Sequence, residues 1–196
     1  SSSGNVAYAD QINGDDNDAD IDQSGGNGNQ AYIAQDMVAS YWDPPYDATT
    51  PMTSTSSTTT ITQVGAGNYA DFVQVGSSNT ASTTQTGDAN IAYVYQGWPF
   101  GFWGETAVTS SLASTYSTVE VLSSGNNNYG AVWQYGGVEN EVYIDQQGNT
   151  NTASIAQGQI YEDYAYEFTY PVYNTERNFV DVSQLGDNNT AKLYQL

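Results

Sequence analysis

A seven-residue unit, Asn-x-small-x-x-x-Gln, recurs along this chain and limits its fold more than any other feature. It begins at Asn5, Asn17, Asn29, Asn68, Asn79, Asn90, Asn128, Asn140, Asn151, Asn178 and Asn189. It closes six residues later at Gln11, Gln23, Gln35, Gln74, Gln85, Gln96, Gln134, Gln146, Gln157, Gln184 and Gln195. Ser57 to Gln63 and Ser117 to Ser123 keep the frame with Ser in first place, making thirteen units. Neighbouring units start mostly 11 residues apart, and a Gly often follows two residues after the Gln, at Gly25, Gly65, Gly76, Gly87, Gly136, Gly148 and Gly186. Seven residues is an ordinary strand length, and Gly in the connection supplies turn angles that other residues avoid. The connections are too short for a helical crossover. The spacing predicts strand, tight turn, strand, with coils stacked in parallel register: an all-β, two-sheet β-solenoid of about 6.5 rungs, spaced by about 4.8 Å.

Alternation assigns the two faces of each strand. Positions 1, 3, 5 and 7 of a unit share a side, for example Asn68, Ala70, Phe72 and Gln74. Position 3 is Ala or Gly in nine of thirteen units, and position 5 is mostly Ile, Val, Leu or Phe. Because the second strand of an arch runs back, small residues should meet large ones across the core. Gly130 is expected to face Ile144, and Val132 to face Val142. Buried amides need partners. Identical amides one rung apart can bond along the stack, so the repeated Asn and Gln are expected to form core ladders.

Composition removes several functions. The 196 residues carry a net charge of −20, with two basic residues, no His and no Cys. No basic patch can be built for nucleic acid or for an anionic membrane surface. The usual zinc and Cys/His catalytic sites lack their ligands. No apolar run is long enough to span a bilayer as a helix. No signal peptide is visible, so a secreted chain would be the mature form. Low hydropathy and high charge alone would suggest disorder; the internal repeat argues against it.

The chain reads as one β-solenoid domain, 1–196, with insertions at 36–56, 97–116 and 158–177. They follow Gln35, Gln96 and Gln157, 61 residues apart, so they leave one edge at every second rung. They are aromatic, and Trp42, Trp98, Phe100, Trp103, Tyr164 and Tyr166 are candidates for lateral contacts between filaments or for glycan contact. Outward positions give one aromatic face, with Tyr32, Tyr69, Tyr93, Tyr95 and Tyr129, which the insertions are expected to cover in part. The other face is polar, with rows Asp18, Asp20, Asp22 and Thr58, Thr60, Thr62. The Asp row is a weak candidate for loosely bound Ca²⁺, since calcium takes several carboxylate oxygens. It lacks the EF-hand and β-roll spacings, and also reads as a solvated acidic face that resists edge aggregation. No other cofactor or metal is expected.

Ser57-x5-Gln63-x-Gly65-x2-Asn68-x-Ala70-x3-Gln74 resembles the curlin repeat, and Asn79 to Gln96 and Asn178 to Gln195 are nearly as close. The chain thus resembles curlin, the secreted subunit of bacterial curli fibres. The resemblance implies a functional amyloid of the extracellular biofilm matrix, exported through an outer-membrane pore and acting in cell adhesion. It implies that the matching Asn, Gln and Ser positions are the stacking ladders. Departures are the aromatic insertions, the acidity, and Ser123, Gly130, Val142 and Val180.

Open solenoid ends favour head-to-tail self-assembly, which makes a filament because the contact does not close. The expected partner is a second copy, with polysaccharide or surfaces as further candidates. A monomeric secreted adhesin binding glycan is the alternative. An ice-binding reading rests on the Thr array, which Glu120 and Leu122 interrupt. Enzymatic function is not expected, since no carboxylate pair is singled out.

Overall fold

The computed structural model describes residues 3–11, 14–35, 54–97, 114–134, 136–157 and 178–195. Among them every regular element is a strand. One sheet holds β1 (Val6–Gln11), β3 (Gln30–Gln35), β6 (Tyr69–Gln74), β9 (Ile91–Gln96), β12 (Tyr129–Gln134), β14 (Thr152–Gln157) and β16 (Thr190–Gln195), in that order. The facing sheet holds β2 (Asp18–Gly25), β5 (Thr58–Gly65), β8 (Thr80–Thr86), β11 (Thr118–Ser124), β13 (Glu141–Gln147) and β15 (Phe179–Leu185). The chain alternates between them, so seven strands and six strands make six and a half coils of a β-solenoid. All pairings are parallel and without slip. Gln11, Gln35, Gln74, Gln96, Gln134, Gln157 and Gln195 therefore form one column.

The core is the row of position-3 and position-5 side chains between the sheets. Ala31, Ile33, Ile61, Phe72, Val94, Val121, Ile144 and Ile155 are buried in it. A β-strand sends alternate side chains to opposite faces, so this pattern follows from period two. Small against large also holds, with a different partner at one position. A Cβ on Gly130 would lie 2.7 Å from Val121 Cγ1, so Gly130 faces β11, the strand before it, and not Ile144. Val121 fills the space that Ala occupies in most other units.

The insertions are shorter than the repeat spacing suggested. β4 (Ser54–Thr55) and β10 (Ser114–Thr115) pair in parallel with β7 (Gly76–Ser77), forming a third, narrow ladder along one edge. Gly97 N donates to Gln134 O at 2.8 Å, and so belongs to the solenoid as well. The reason is regularity. Ser54–Thr55, Gly76–Ser77 and Ser114–Thr115 occupy the same place in their arches, ending two residues before the residue that opens the next unit, and so pair with one another in register.

The turns contain a constraint invisible in the repeat. Among the described residues, the residue before the opening Asn or Ser takes positive φ, as at Ala89 (56°), Tyr116 (54°), Asn127 (56°), Glu139 (59°) and Thr150 (59°). L-residues disfavour this region, β-branched ones most. The turn glycines have a separate reason. A Cβ on Gly87 would lie 2.1 Å from Gly125 O, because successive arches stack backbone on backbone. We expect Thr150→Gly to stabilise the subunit by about 1 kcal/mol. Gly87→Ala is expected to destabilise it by at least about 2 kcal/mol. Denaturant midpoints of freshly prepared subunits check both signs.

Candidate functional site: amide ladders and two unpaired rungs

Glutamine at position 7 is buried and bonds in two directions. Along the axis Nε2 donates to Oε1 of the next glutamine, from Gln11 to Gln35 (2.6 Å), Gln35 to Gln74 (2.9 Å) and Gln74 to Gln96 (2.8 Å). The column continues from Gln96 to Gln134 (3.1 Å), Gln157 (2.8 Å) and Gln195 (2.9 Å). Across the core the same nitrogen donates to a carbonyl of the opposite sheet, as from Gln74 to Thr58 O (3.2 Å) and Gln85 to Tyr69 O (3.0 Å). The carbonyl accepts only from N–H, so this second bond fixes which way each amide points. Every ladder bond thus donates in the same axial direction, from the N-terminal rung toward the C-terminal one.

The facing column behaves alike, with Gln23 to Gln63 (2.9 Å), Gln63 to Gln85 (2.8 Å) and Gln146 to Gln184 (3.0 Å). Ser123 interrupts it. Its hydroxyl reaches Gln146 Oε1 at 3.2 Å, and among the described residues no bond joins it to Gln85. A serine is too short to span the rung in both directions.

Asparagine at position 1 departs from the expected amide-to-amide ladder. Its Oδ1 accepts the backbone N–H of the next Asn, as for Asn68 to Asn29 (2.9 Å), Asn90 to Asn68 (2.9 Å) and Asn128 to Asn90 (3.0 Å). Its Nδ2 donates to the turn carbonyl of the next arch, from Asn68 to Gly87 O and Asn90 to Gly125 O, both at 2.8 Å. The shorter side chain leaves the amide level with the turn backbone, where it holds one arch on another. Asn189, in the last rung, is the exception, with Nδ2 on Asn151 Oδ1 at 3.1 Å. In the six-stranded sheet Ser57 substitutes, its Oγ accepting Asn79 N at 3.3 Å.

The turn glycines fall on two edges. Gly25, Gly65, Gly87, Gly148 and Gly186 connect the six-stranded sheet to the seven-stranded one, while Gly76 and Gly136 lie on the opposite edge. Gly125 belongs with the first group, a Cβ on it lying 2.1 Å from Gly148 O. It was legible only by allowing Ser123 in the Gln frame. Trp42, Trp98, Phe100, Trp103, Tyr164 and Tyr166 lie outside the described residues.

On the outer face of the seven-stranded sheet Tyr32, Tyr69, Tyr93 and Tyr129 form a row with ring centroids 5.5–5.9 Å apart. Beside it Tyr95 donates to Asp71 Oδ2 at 3.0 Å. Burial pushes the Asp71 carboxyl above its ordinary value, partly offset by that hydrogen bond, and burial and the Asp71 charge push Tyr95 up. On the other face Asp18, Asp20 and Asp22 point outward from alternate positions of one strand. Among the described residues no group of three or more carboxylates could hold a metal ion. Extended spacing keeps alternate carboxylates roughly 7 Å apart, too far to converge on one cation.

The end rungs differ from the interior. β1 and β2 lie at one end of their sheets and β16 and β15 at the other. Core-face residues that are buried inside the stack are open there. Leu193 is 38% exposed, against 0% for Ile155 in the strand beside it. Ala7 and Ala9 are exposed, and Ile21 and Val182 are only partly buried.

Residues 2–25 and 55–85 match the family model of the curlin associated repeat. These two segments are curlin associated repeats. The matched segments include the arch from β5 to β8, where the ladder, turn glycine and small-against-large core occur together. No curated protein matches the chain. Among the described residues no helix is long and apolar enough to cross a membrane.

Replacing Gln96 with Leu leaves the Gln134 carbonyl without its axial donor and the Gln74 amide without its axial acceptor, and removes the cross-core bonds to the Thr80 and Ser117 carbonyls. We expect a loss of about 2–3 kcal/mol, against less than about 1 kcal/mol for Gln11→Leu at the exposed end. Denaturant unfolding of the two variants compares them. Asp71 gives a pH test. A carboxyl with a raised folded pKa is destabilising once ionised, so its effect is absent at acid pH and appears as pH rises through that raised value. Asn keeps an acceptor for Tyr95 and cannot ionise. Asp71→Asn should raise the melting temperature at pH 7 and leave it unchanged near pH 3.

Proposed function

We propose that the chain is a structural subunit of an extracellular, curli-like amyloid filament of a biofilm matrix. It grows head to tail by stacking β-strands on the open ends of the solenoid, and serves adhesion and surface colonisation after secretion. The observation that carries this reading is the pair of end rungs whose outer edges pair with no strand among the described residues. Each offers a row of backbone N–H and C=O groups, exposed core residues and an unfinished glutamine column, all in the pattern that the interior repeats. A strand edge of that kind is a template for another chain. The curlin-repeat match supports the same role.

The charge regulates the process. Subunits of −20 repel one another as they stack. Salt and divalent cations favour assembly by screening, with calcium acting on the exposed Asp18, Asp20 and Asp22 row without a chelated site. Polysaccharide and abiotic surfaces are contacted by the finished filament.

Growth of the purified protein at neutral pH, followed by electron microscopy and fibre diffraction, tests the role. Filaments with a meridional spacing of about 4.8 Å that seed fresh subunits are expected. Discrete, non-growing rods would move the function to a monomeric glycan-binding adhesin. The elongation rate should rise with ionic strength between roughly 10 and 150 mM. Assembly fastest in salt-free chelator would contradict the electrostatic part.

A further inference from the structure

Three features of the end rungs bear on how two copies meet. The first is parity. Each strand-and-turn step carries the chain to the opposite sheet and half a rung along the axis. Among the described residues, seven strands in one sheet and six in the other make an odd number of steps. A copy added by translation alone would leave a one-strand gap in the six-stranded sheet. A copy turned by half a revolution leaves none. Its β1 then continues the six-stranded sheet on β15, and its β2 continues the seven-stranded sheet on β16.

The second is ladder polarity. Gln11 and Gln23 donate into the subunit, to Gln35 and Gln63, and leave Oε1 facing outward at the N-terminal end. Gln184 and Gln195 accept from Gln146 and Gln157, and their Nε2 groups face the C-terminal end. The donor end of one copy fits only the acceptor end of the next. Head-to-head contact would oppose carbonyl to carbonyl.

The third is charge. Lys192 is one of two basic side chains in the chain, and it is exposed on β16 at the outward fourth position of the unit that opens at Asn189. Within the subunit its partner in register is Ser154. Asp18, Asp20 and Asp22 are exposed on β2, with Thr58, Thr60 and Thr62 as their partners in register on the inner side. Aligning equal positions of the repeat puts Lys192 directly over Asp20 of the next copy, flanked by its Asp18 and Asp22. The same alignment puts Leu193 over Ile21, Ala191 over Ala19, Val182 over Ala9 and Gln195 over Gln23. Under translation alone Lys192 would meet Tyr8, not a carboxylate.

We propose that successive subunits are related by a half-turn, and that Lys192 of one copy on the Asp18–Asp20–Asp22 row of the next sets the register of the junction. The occupant of the open end is a second copy of this chain, held by a single cation on a carboxylate row at an otherwise like-charged contact. Like charges directly opposite across strands destabilise pairing, and opposite ones support it. A contact of this kind acts mainly on the rate of association and on the choice of register.

The proposal rests on the filament role above, and a charge exchange separates the two. Elongation of the full chain is followed at low ionic strength for Lys192→Glu, Asp20→Lys and the double variant, each with circular dichroism to verify the strand content. Each single variant should elongate at least about tenfold more slowly, and the double variant should return to within about threefold of the unmodified chain. Helical reconstruction of unmodified filaments should give a rotation near 180° and a rise of about 31 Å per subunit. A rotation near zero, or a double variant as slow as the singles, would overturn the half-turn junction and leave the filament role intact. No filaments from the unmodified chain would overturn both.

Discussion

A glutamine amide buried in this core has two N–H groups and a carbonyl to satisfy, and no solvent to satisfy them. The axial bond to the next glutamine uses one side of the group, and the bond across the core to the facing strand uses the other. Both succeed only when every strand is in the same register as its neighbours. A slip of one residue would turn all of the glutamines outward and break the axial and cross-core bonds together. The amide therefore does more than tolerate burial. It fixes register along the axis, ties one sheet to the other, and gives the stack a donor end and an acceptor end.

That polarity and the absence of closure belong together. A repeat whose interior contacts are all made between identical positions has the same contacts available at its ends. The exposed Leu193 and the buried Ile155 occupy the same place in their units and differ only in whether a neighbour covers them. In the proposed filament, growth by adding copies continues the interior pattern without needing a new interface. The stacked arches reinforce this, since each turn packs its backbone on the next and excludes a side chain there, as at Gly87 beneath Gly125.

Charge sets the opposing force. Carboxylates far outnumber basic side chains, so the fold concentrates negative charge along a rod whose proposed role is to lengthen. The cost is least where carboxylates are solvated, as on the Asp18–Asp22 strand, and greatest where one is half-buried, as at Asp71 beside Tyr95. In the proposed filament, this charge opposes association in dilute salt, and ions or a matched cation reduce the repulsion.

The sequence alone determined the fold class, the strand positions, the inward face and the parallel register. These follow from a period-two pattern repeated in one frame, which a single slip would destroy at every unit at once. Only the tertiary structure decided how the amides divide their work, with Gln bonding amide to amide and across the sheets while Asn bonds turn to turn. That division depends on side-chain reach relative to the backbone of the next arch, which a motif does not encode. The structure likewise decided that Gly130 receives Val121, that Ser54–Thr55 and Ser114–Thr115 form a third ladder, and that Thr150 and Tyr116 occupy positive φ. In each case the residue type is ordinary and the constraint comes from the neighbouring coil, in space and not in sequence.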